Sequence, residues 1–82
     1  MSREHRFCRV FGRDLAPHQD DADTPAALVQ SCADTVSWLR DNDPAGLEGM
    51  LPLADVPAFL QWIDDNRAWL EAGVASYFGG EA

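Results

Sequence analysis

Residues 24–44, TPAALVQSCADTVSWLRDNDP, decide the fold. Thr24 followed by Pro25 is a helix start: a hydroxyl that caps free N–H groups, then a residue that needs no N–H partner. Leu28, Val29, Cys32, Val36 and Leu39 recur at three- and four-residue steps and share one side of the wheel, within about 100°. Gln30, Asp34, Ser37 and Asp41 fall on the far side. Asn42-Asp43-Pro44 ends the run, because proline disfavours helical geometry at the residue before it. The reading is an amphipathic helix over about 25–41.

Working outward, a second and longer helix is predicted over about 55–78. Asp55 is its expected cap, Pro57 lies in its first turn, and Gly79-Gly80 is its expected stop. Val56, Leu60, Ile63, Leu70, Val74 and Tyr77 form its apolar stripe, interrupted once by Arg67 and widened by Phe59 and Phe78. Between the helices, 44–53 suits a short helical turn capped by Asp43. In the head, Phe7, Val10, Phe11 and Leu15 suit a short helix broken at Gly12, or an extended arm. β-Branched residues are thin and no hairpin signal appears, so a strand would lack a partner. The fold expectation is all-α: a small bundle on an antiparallel helix pair, in one domain over 1–82. A head and acidic linker (1–23) precede the helical body (24–79).

The chain has no lysine, and its charge is divided. Four arginines and one glutamate give +3 through Arg13; two arginines and thirteen acids give −11 beyond it, summing to −8. An acidic body repels nucleic acid and anionic lipid and attracts basic protein surfaces. No apolar run approaches the ~20 residues of a membrane span, and no signal segment is evident, so a cytoplasmic protein is expected. Cys8 and Cys32 read as reduced thiols packed as small hydrophobes, with a bridge between them as the alternative.

Little in the chain suggests catalysis. There is no Gly-rich phosphate loop, no nucleophile elbow and no His–Cys pair in a familiar context. Asp64 and Asp65 adjoin in sequence, but helical neighbours point about 100° apart. The segment Asp41-Asn42-Asp43-Pro44-Ala45-Gly46 resembles a calcium loop at three positions, yet Ala45 and Pro52 occupy positions that require ligands. His5, Cys8, His18 and Cys32 are ligand types suited to zinc, without a second close pair. No cofactor is expected.

The three tryptophans are the side chains most suggestive of binding. Trp62 and Trp69 lie seven residues apart, about 110° from the centre of their helix's stripe, and Trp38 about 130° from its own. Tryptophan is enriched in binding hot spots because it buries much area and keeps a polar handle. Asp64, Asp65 and Glu71 flank the later pair, and Asp34 and Asp41 the earlier residue. The functional expectation is a non-enzymatic protein-binding module, an inhibitor or accessory subunit of a larger assembly. Its expected site is Trp62, Trp69, Trp38, Phe59, Asp64, Asp65 and Glu71, and its partner carries a basic surface. A homodimer would use the same tryptophans. The alternatives are an acidic mimic of nucleic acid that decoys a nuclease or DNA-binding protein, and a small metal or redox protein using His5, Cys8, His18 and Cys32.

Overall fold

Thr24 starts the first long helix as its sequence predicts: its hydroxyl accepts the Ala27 N–H at 3.1 Å. The computed structural model describes residues 3–19 and 21–79, with the side chains of 76–79 outside that description. The predicted stripe contributions of Tyr77 and Phe78, the stop at Gly80, and Asp20 of the linker therefore lie outside the described residues. In chain order the helices are α1 (Arg3–Arg9), α2 (Pro25–Asn42), α3 (Pro44–Glu48), α4 (Val56–Asp65) and α5 (Arg67–Gly79). No strand occurs among the described residues, and the fold is all-α.

The head is helical. Beyond α1 it widens into a π-type turn at Val10–Leu15, where the Ala16 N–H donates to the Phe11 carbonyl five residues back, then tightens into a 3₁₀ turn at Ala16–His18. A straight α-helix would carry Ala16 roughly 160° from the stripe of Phe7, Val10, Phe11 and Leu15. The wide turn around Gly12 slows that rotation, and all five residues are buried. The head is thus a wall of the core and not a free arm.

Asp43 caps α3 by accepting the Gly46 N–H at 3.2 Å. Asp55 does not cap α4: its carboxylate instead accepts from the Arg6 guanidinium at 3.0 Å, joining head to body. Leu53–Asp55 forms a 3₁₀ turn leading into α4.

The predicted helix over 55–78 is broken at Asn66. The Asn66 N–H is shared between the Trp62 and Ile63 carbonyls at 3.1 and 3.2 Å, and its side-chain amide donates to the Trp62 carbonyl at 2.8 Å. A short amide that bonds the carbonyl four residues back competes with the regular ladder. The helix stops there and resumes as α5, with the Leu70 N–H on the Asn66 carbonyl at 2.8 Å. Asn42 makes the same bond to the Trp38 carbonyl, 2.9 Å, where α2 ends.

The core gathers Leu28, Val29, Cys32 and Val36 from α2, Val56, Phe59 and Ile63 from α4, and Leu70 and Val74 from α5. Leu47, Leu51 and the head's apolar residues join the same buried cluster. Of the described elements, α5 has the broadest approach to α2. Each such side chain contributes about 1.5–3 kcal/mol on burial, most of it offset by chain entropy.

Candidate functional site

The head covers one of the three tryptophans. Phe7 meets Trp62 edge-on at 5.8 Å between ring centroids and Phe59 at 5.2 Å; Phe11 meets Trp62 at 6.4 Å. Phe59 stacks on Trp62 at 5.8 Å. Trp62 is half-buried as the lid of this aromatic cluster, and Phe59 is fully buried beneath it. Both placements have one cause: the side of α4 that carries Trp62 is the side on which the head docks. Phe59 belongs to the core and presents no surface to a partner, and Trp62 keeps only an edge, bordering a depression with Glu4 and Asp65.

Trp69 lies beyond the break and is 62% exposed. It edges an open groove of about 490 Å³ between the head and α5, whose walls include Phe11, Leu70 and Val74 and whose lining includes Ala72, Gly73 and Cys8. Among the described residues, no Asp, Glu, Arg or His lines this groove. Trp62 and Trp69 therefore do not form one stripe: one is covered by the head, and the other edges a separate groove.

Trp38 is 60% exposed on the outer side of α2. Asp34 and Asp41, four residues before and three after, lie on the same face. Asp34 is held in place by a chain of bonds. Asp64 accepts from Arg67 at 3.2 Å, Arg67 donates to Gln30 Oε1 at 2.8 Å, and Gln30 donates to Asp34 at 2.9 Å. That chain links the start of α5 to α2 and spends Asp64 on an internal contact. Asp65 accepts from Gln61 at 2.9 Å, and Glu71 is half-buried. The acids beside Trp38 are exposed and engaged on their own helix, Asp34 by Gln30 and Asp41 by Arg40 at 3.5 Å.

The thiols are both free and differ in setting. Cys8 is exposed, contrary to the packed reading, because it falls on the groove side of α1, away from the stripe that buries Phe7. Cys32 is fully buried, and desolvation pushes its thiol up from 9.0 to about 12. Among the described residues no three His, Cys, Asp or Glu side chains converge as metal ligands. No helix among them is long and apolar enough to cross a membrane. Compared with known proteins, the chain has no significant match to a family model, a curated protein or a solved structure.

Proposed function

We propose that this chain is a non-enzymatic, cytoplasmic protein-binding module that serves a larger protein assembly as an inhibitor or accessory subunit. Its contact is the outer face of α2. The observation that carries this reading is Trp38, 60% exposed between Asp34 and Asp41 on a helix already braced by the core behind it. A large ring on a rigid helix loses little entropy on binding, and flanking carboxylates steer a basic surface toward it. The pre-oriented Asp34 supports the same reading, since its position is set before a partner arrives.

The test is capture of the tagged protein from its host, identification of the partner by native mass spectrometry, and affinity measurement with variants. Trp38→Ala should weaken binding by about 30-fold or more, the range of a hot-spot residue. Asp34→Asn with Asp41→Asn should lower the association rate and flatten its salt dependence. Undiminished binding by Trp38→Ala would refute the assignment. If the acid-to-amide changes abolish binding while Trp38→Ala leaves it intact, the nucleic-acid decoy takes its place.

A further inference from the structure

Three of the chain's six arginines converge on one depression of the head. Arg6, Arg9 and Arg13 stand three and then four residues apart, so they share one face of the helical head. All three line a depression of about 360 Å³, together with Val10, Met50 and Asp14. Val10 is buried and Met50 half-buried, which gives the depression an apolar part, and the arginines are exposed. The depression lies apart from the Trp38 face, since neither Trp38 nor its flanking acids line it.

Two carboxylates oppose the arginines. Asp55 accepts from Arg6 Nη1 at 3.0 Å, and Asp14 belongs to the lining. The Asp55 bond uses one of the five N–H donors of Arg6 and holds the guanidinium in place. Three cations against two anions leave a local positive surplus on a chain whose net charge is −8. The surplus of donors is larger, because each guanidinium is a planar fork that matches two oxygens of one phosphate group.

The charge of the rest of the chain limits the size of the anion. A nucleic acid or an acidic protein surface would extend past the head and meet the body, which carries −11 from Asp14 onward. A small anion inside the depression lies beside the three guanidiniums, while exposed carboxylates beyond roughly 8–10 Å are screened at ordinary salt. Seven residues of helix set Arg6 and Arg13 about 10 Å apart along the axis. A short chain of phosphates concentrates several charges on a length that these arginines span.

We propose that this depression is a binding site for a short phosphate chain, either a free oligophosphate or the phosphate tail of a nucleotide. Arg6, Arg9 and Arg13 donate to its oxygens, and Asp14 holds the affinity down by repelling them.

Isothermal titration calorimetry of the untagged full chain with tripolyphosphate, and separately with ATP, both free of divalent metal, tests this. Tripolyphosphate should bind one to one, orthophosphate much more weakly, and added salt should lower the affinity. Arg13→Gln should weaken tripolyphosphate binding about 5- to 10-fold, the effect of one charge-assisted bond at an exposed position. Asp14→Asn should tighten it, and Trp38→Ala should leave it unchanged. Arg13 and Asp14 are both exposed, so circular dichroism should report an intact fold in each variant. ATP bound no more tightly than tripolyphosphate would support the free oligophosphate, and ATP bound more tightly would support the nucleotide. No binding of either compound, or binding indifferent to both Arg13→Gln and Asp14→Asn, would overturn the proposal. So would a polyglutamate peptide that binds as tightly as tripolyphosphate, since the face would then receive an acidic protein segment.

Discussion

Phe7→Ala asks whether the N-terminal head is part of the folded core. The ring is 2% exposed and touches Phe59 and Trp62 edge-on at 5.2 and 5.8 Å. Removing a buried phenylalanine costs about 3–5 kcal/mol in transfer and cavity terms, the lost aromatic contacts included. A domain of this length has a total stability of roughly 4–12 kcal/mol at the usual value per residue. The substitution should therefore remove about a quarter of the stability or more and leave the variant partly unfolded at the low end. The assay is urea denaturation followed by tryptophan fluorescence, with Trp38→Ala as the matched control. Trp38 is 60% exposed, so its loss should cost about 0.5 kcal/mol or less. Phe7→Ala should also redden the native emission, because it uncovers one side of Trp62. A cost below about 1 kcal/mol with unchanged emission would refute the reasoning: the head would then be an arm laid on a body that folds without it.

Other outcomes follow from single contacts. Thr24→Ala should cost about 1 kcal/mol in the same denaturation, since the hydroxyl that accepts the Ala27 N–H is lost, whereas Thr24→Ser should cost much less. The folded-state thiol of Cys32, at about 12, lies above its ordinary 9.0, so the unfolded chain releases that proton first as pH rises. The resulting contribution is intact below about 9 and is lost between there and about 12. Wild type should accordingly lose more stability than Cys32→Ala on moving from about pH 8 to about pH 10. In the native monomer a thiol reagent should modify Cys8 and spare Cys32 until urea unfolds the chain.

Much of α2 was legible because its determinants are local. Thr24-Pro25 fixed one end, Asn42-Asp43-Pro44 the other, and the stripe between them is the one that is buried. The apolar residues of the head were legible for the same reason. The break at Asn66 was not read, although a signal for it exists. Trp62-Ile63-Asp64-Asp65-Asn66 repeats the pattern of Trp38-Leu39-Arg40-Asp41-Asn42, and in both the asparagine amide bonds the tryptophan carbonyl where the helix ends. After Asn42 the chain runs into Pro44 and the helix is finished; after Asn66 it meets Arg67 and resumes. Apolar periodicity continues across the break and hides it.

The candidate site was legible as a set of residue types and not as a surface. Wheel angles placed Trp62 at a margin, but only the tertiary fold says that Phe7 and Phe11 cover that margin. The same contacts turn Phe59 inward, and the Arg6 bond takes Asp55 from its helix start. Each of these is a contact across dozens of residues, which local spacing does not encode.

The most direct test of the binding reading is oxidative footprinting of the three tryptophans, with the protein free and bound to its captured partner. Trp62 should be modified slowly in both states, and Trp38 should be modified readily when free and protected in the complex. Equal oxidation of Trp38 with and without the partner would contradict the assignment of the α2 face as the binding surface.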